Sequence, residues 1–121
     1  MGDRQRLGET GETLAGRFLV SAGYALRARR WRADGGRGPE ADIVAERDGV
    51  TVFVEVRTRR GDAFGSGEES VDWRKRTRLR RVAYAYMAAQ GRPGGAMRID
   101  VIAVDLAAGV LRHVKGAVGE D

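Results

Sequence analysis

Residues 39–60 read PEADIVAERDGVTVFVEVRTRR, and the fold turns on them. Asp48-Gly49 separates two runs rich in Ile, Val and Phe, the strongest short-range signature of a β-hairpin. The spacing predicts strands over 41–47 and 50–58. A two-residue turn pairs Arg47 with Val50, which sets Val44 across from Phe53 and Asp42 across from Glu55. Ile43, Ala45, Val52, Val54 and Val56 then fill the other face. Directly opposed side chains on one face have Cβ atoms about 4.5–5.5 Å apart, where like charges repel. A shared proton, a basic partner or a divalent cation has to offset that repulsion. Oxygen donors from two carboxylates, with water and phosphate completing the shell, suit Mg²⁺ or Mn²⁺. A salt-bridged patch at the strand ends is the competing reading, because the same register sets Glu40 across from Arg57. A three-residue loop with a bulge would shift the pairing by one.

Outward from the hairpin, Leu14, Ala15, Phe18, Leu19 and Ala22 recur at helical spacing and Gly23 supplies a stop, which predicts a helix over 10–22. Glu12 shares the inward stripe of Ala15 and Leu19, so it needs solvent or a partner such as an arginine. Glu9 reads as a group near the helix start. YALRARRWRA predicts a strand, DGGRGP a loop, and RIDVIAVDL a strand over 98–106 with a short last one at 110–114. A second helix is framed by Ser70 as cap and Asp72 in its first turn, and by Gly91 and Pro93 at its end. Val71, Leu79, Val82, Ala83, Tyr86 and Met87 form its core stripe, and Lys75 shares that azimuth, so it must either snorkel to solvent or find carboxylates, for which Asp42 and Glu55 are the candidates. Trp73, Tyr84 and Tyr86 offer rings for base stacking, with packing as the ordinary use. A mixed sheet flanked by helices packs this element order.

A chain of 121 residues, 42% hydrophobic and 32% charged, accommodates one domain and no second core. The expected limits are a core over 8–106 and a C-terminal tail over 107–121. Cysteine is absent, which removes disulfides, thiolate nucleophiles and Cys-built metal sites. His113, the lone histidine, is expected to be solvated. With no apolar run near membrane-span length and no signal-peptide pattern, a cytoplasmic location and no membrane partner are expected. A net charge of +5 favours a polyanionic partner. Its arginines cluster at 27–32, 57–60 and 74–81. Arg59, Arg60, Arg74, Arg76 and Arg78 are the expected nucleic-acid contacts.

GETGETLAGRFLVSAGY, PEADIV, FVEVRTR, FGSGEESV with KRTRL, and RIDVIAV, taken in this order over residues 8–105, resemble the YraN-like family of small bacterial proteins. That family is similar to archaeal Holliday-junction resolvases within the PD-(D/E)XK nuclease superfamily. The resemblance implies an α/β fold with an αβββαβ restriction-endonuclease-like core. It implies Asp42 and Glu55 as ligands of Mg²⁺ or Mn²⁺, with Glu12 completing the site. It further implies hydrolysis of DNA phosphodiesters, with branched or damaged DNA as the substrate, and a homodimer, since similar resolvases pair. One departure bears on catalysis: the superfamily lysine falls at Arg57, and arginine stays protonated. Lys75 matches a lysine of the family pattern and is the expected substitute. The catalytic set is therefore Glu12, Asp42, Glu55, Arg57 and Lys75. A second departure is Pro39, where the family carries Gly. The alternative keeps the fold without the chemistry, as a nucleic-acid-binding or protein-interaction module. A purely structural subunit with ion-paired acids is a third reading.

Overall fold

A computed structural model describes the backbone of residues 3–60 and 73–118 and the side chains of 8–60 and 74–118. The sequence-predicted cap at Ser70, the first-turn Asp72, the stripe residue Val71 and the ring of Trp73 lie outside the described residues. The elements run α1 (Asp3–Ser21), β1 (Ala25–Arg32), a short 3₁₀ turn (Asp34–Gly36), β2 (Glu40–Arg47), β3 (Val50–Arg59), α2 (Trp73–Ala89), β4 (Met97–Asp105) and β5 (Val110–Val118). One five-stranded sheet has the order β1-β2-β3-β4-β5, antiparallel except for the β3–β4 pair. Parallel neighbours need a crossover, and α2 supplies it.

The hairpin turn has Asp48 at φ 53° and Gly49 at φ 78°, the two positive φ values of a type I′ turn. Arg47 pairs with Val50, and the predicted register holds through Val44–Phe53 and Ile43–Val54. Alternation then divides the core between the two sheet faces. Val44, Phe53, Ile99 and Val101 pack under Leu79, Val82, Tyr86 and Met87 of α2. Ile43, Val52, Val54, Ile102 and Val104 pack against Ala15 and Leu19 of α1. Tyr86 is a core ring, edge-on to Trp31 and Phe53 at 5.2 and 5.5 Å, whereas Tyr84 is exposed.

Both helices end as their glycines predict. Tyr24 N–H reaches Leu19 O and Gly23 N–H reaches Val20 O; Arg92 and Gly91 repeat the pattern on Met87 and Ala88. These are Schellman closures, with Gly23 and Gly91 at positive φ. The start of α1 differs from the expected Thr10: it lies at Asp3, so Glu9 is a mid-helix residue. Gly11, inside the expected helix, has a packing reason. A Cβ there would collide with Thr58 Oγ1 of β3 and come within 2.9 Å of its Cβ. The last strand is also longer than the expected 110–114 and occupies much of 107–121. Among the described residues, no helix is long and apolar enough to cross a membrane.

Candidate metal centre

Asp42 and Glu55 stand where the hairpin opens. The antiparallel pairing of β2 with β3 stops at Ile43–Val54, one step short of them. Glu55 instead pairs across the other edge of β3 with Val101. In place of a main-chain carbonyl, Asp42 Oδ2 accepts the Val56 N–H at 2.8 Å. The acids are therefore neighbours at a parting of strands rather than rungs of one ladder. Burial, then the charge of Glu55, pushes the Asp42 pKa up to about 7, although the Val56 hydrogen bond opposes the rise.

Both carboxylates line one cleft of about 510 Å³ with Glu40, Lys75, Arg78 and Arg81. Lys75, in the first turn of α2, brings Nζ to 3.1 Å from Glu55 Oε1, so the lysine expected to face the acids does. The Val56 N–H is seated on one oxygen of Asp42 and the Lys75 ammonium on one oxygen of Glu55. Two hard oxygen donors with room for water and a phosphate fit Mg²⁺ or Mn²⁺.

Glu12 is differently placed. Its Oε1 lies 3.0 Å from Arg30 Nε and 3.3 Å from Arg29 Nη2, and its side chain is only 12% exposed. Its charge still adds to the pKa rise of Asp42. The helix stripe turned it inward, and the two guanidinium groups of β1 took it up. Among the described residues no group of three or more acidic, histidine or cysteine side chains has metal-holding geometry.

Arg57 is partly buried, two residues beyond Glu55 and so on the same side of β3. Arg74, Arg76 and Arg78 are exposed on the first turns of α2; Arg60 is exposed just past β3, and Arg59 is partly buried at its end. Only Arg78 of these five lines the cleft; Arg32, Arg37 and Arg81 also do so. Two rim ion pairs, Arg81–Asp34 at 3.0 Å and Arg32–Glu40 at 3.6 Å, are largely exposed. Such pairs contribute under about 1 kcal/mol, so these guanidinium groups can exchange partners with a phosphate. Arg32 and Arg81 belong to the basic clusters visible in sequence. Arg37 sits in a loop without periodicity, and only the fold brings it to the rim.

A second polar centre went unpredicted. Asp100 is fully buried and accepts Arg98 at 2.8 and 2.9 Å, the Gly116 N–H at 2.9 Å, and contacts His113 Nε2 at 2.7 Å. Arg98 also donates to the Tyr24 hydroxyl at 2.7 Å. Burial alone would raise the Asp100 pKa, but the bonds from Arg98, Gly116 and His113 hold it below the usual range. His113, expected in solvent, is 8% exposed, with Phe18 and Tyr24 edge-on to its ring. The signal was present: an Asp inside the apolar run RIDVIAV, as in the hairpin.

Residues 11–104 match the family described as Uncharacterised protein family UPF0102. A UPF0102 protein of Roseiflexus castenholzii is 50% identical over 106 residues, covering 87% of this chain and 83% of that protein. One of Nocardia farcinica is 44% identical over 118 residues, covering 95% and 91% respectively. One of Moorella thermoacetica is 46% identical over 101 residues, covering 84% and 82%. On the extent of these matches, the chain belongs to the YraN-like family, UPF0102.

Proposed function

We propose that this protein is a metal-dependent nuclease-like enzyme that hydrolyses DNA phosphodiesters, with branched or damaged DNA as the favoured substrate. The observation that carries the reading is the juxtaposition of Asp42 and Glu55 at one cleft, with Lys75 on Glu55 and arginines on the rim. Asp42 and Glu55 would hold Mg²⁺ or Mn²⁺, and Glu12 adds negative charge from beyond its arginine clamp. When bound, such an ion polarises a phosphoryl oxygen and lowers the pKa of a water. Lys75 and Arg57 supply fixed positive charge for the developing phosphorane. Arg32, Arg37, Arg78 and Arg81 engage the flanking phosphates, so binding weakens steeply with salt. Arg74, Arg76, Arg59 and Arg60 extend that basic surface beyond the cleft.

Cleavage of branched, single-stranded and duplex DNA under Mg²⁺ or Mn²⁺ titration tests this. Asp42→Asn and Glu55→Gln are each expected to lower the rate by at least about 10²-fold. Lys75→Ala is expected to abolish cleavage while Arg57→Lys is tolerated or improves it; the reverse pattern rejects the role given to Lys75. DNA affinity indifferent to metal, with no cleavage of any substrate, would instead identify a binding module on the same fold. The Arg57 departure is the feature that favours that second reading.

A further inference from the structure

Of the 22 basic side chains in this protein, only Lys75 and Lys115 are lysines. One of the two sits on the carboxylate pair. Lys75 Nζ is 3.1 Å from Glu55 Oε1, with the lysine side chain 33% and the glutamate 13% exposed. The ammonium thus closes one side of the pair while remaining in reach of the cleft. Glu12 shows the contrast within the same molecule, since Arg29 and Arg30 converge on it at 3.3 and 3.0 Å. A guanidinium is a rigid fork that binds carboxylate through several donors, whereas an ammonium is a compact charge on a flexible stem. Glu55 has therefore received a basic group that can leave, and Glu12 groups that stay. One ammonium carries a single positive charge against two adjacent carboxyl groups, and Asp42 Oδ2 is held by the Val56 N–H.

Building on the metal-site reading above, we infer that Lys75 is the resident counter-ion of the Asp42–Glu55 pair, displaced toward the substrate phosphate when a divalent cation enters. Cation binding and release of the amine are then one exchange. Lys75 weakens metal affinity in the free protein, and its amine becomes available only in the metal-loaded state. The same residue that lowers affinity for the ion supports the reaction, so its removal moves the two properties in opposite directions.

The test uses the full chain at constant pH and ionic strength. Mn²⁺ binding is followed by electron paramagnetic resonance for the wild type, Lys75→Met and Asp42→Asn. In parallel, trace acetylation of the wild type is followed by peptide mass spectrometry with and without Mn²⁺, with exposed Lys115 as internal reference. Expected are roughly 1.5- to fivefold tighter Mn²⁺ binding in Lys75→Met, the range set by releasing one partly exposed ion pair, and acetylation of Lys75 accelerated by Mn²⁺ relative to Lys115. Equal or weaker binding in a folded Lys75→Met, or Lys75 acetylation indifferent to saturating Mn²⁺, overturns the exchange while leaving the metal site standing. Should Lys75→Met fail to fold, the wild-type acetylation decides by itself. Wild-type Mn²⁺ binding that is absent, or unaffected by Asp42→Asn, removes the metal site and the exchange with it.

Discussion

At the scale of single residues, the consequence of seating Asp42 beside Glu55 is a proton held too tightly. The pKa of Asp42 is pushed up to about 7 by burial and by the charge of Glu55, whereas in an unfolded chain an aspartate titrates near 3.9. Between about pH 4 and 7 the folded state therefore binds the extra proton, and this contribution to stability is lost as pH rises through that window. In the absence of metal, Asp42→Asn is expected to change little at pH 4 and to stabilise the protein at pH 8 by about 1–3 kcal/mol, discounted for partial exposure. Asn Oδ1 still accepts the Val56 N–H. Urea titrations at the two pH values check this, and a variant less stable at pH 8 would contradict it. The residue identities were legible in the sequence, since an acid inside an apolar run is visible there. Their contacts were not: the Val56 N–H reaches Asp42 only because the strands part, and residue spacing carries no information about where a ladder ends.

Elements follow the same division. Hairpin, register and both glycine-closed helix ends could be read from local chemistry, because turns and caps are decided by neighbouring residues. The start of α1 could not. Residues 3–9 hold a single apolar side chain, Leu7, and so show no helical stripe; Gly11, inside the expected helix, lets α1 lie against Thr58 of β3 through its missing Cβ. Gly11→Ala is expected to destabilise by about 1–3 kcal/mol through overpacking, despite alanine's better helix propensity. Thr58→Ala in the same chain should recover part of the loss. Thermal melts of the single and double variants measure the coupling; additive effects would exclude the contact as the cause. β5 exceeds the expected 110–114; it runs on to Val118 past Gly116, whose N–H is donated to Asp100.

Across the whole molecule, two polar centres serve different ends. At the first, Glu55 carries the Lys75 ammonium and Asp42 the Val56 N–H, both acids lining one cleft. Asp100 has Arg98, His113 and Gly116 gathered on it and joins β4 to β5, with Tyr24 after α1 as a further anchor. Removing one member of a buried pair strands the other, at a cost of about 3–5 kcal/mol. Asp100→Ala is accordingly expected to lower stability by that order, measured by chemical denaturation, and a loss below about 1 kcal/mol would show the network to be dispensable. The sequence by itself determined the hairpin pairing of β2 with β3, the two-faced sheet, the glycine-closed helix ends and the identity of the acids, because each follows from side-chain period or turn chemistry within a few residues. Tertiary structure alone decided which basic groups each acid met. Glu12, Glu55 and Asp100 are alike as carboxylates, and what separates them is the distant basic group that folding delivers to each: two guanidiniums from β1, one ammonium from α2, and a guanidinium with an imidazole across β4 and β5.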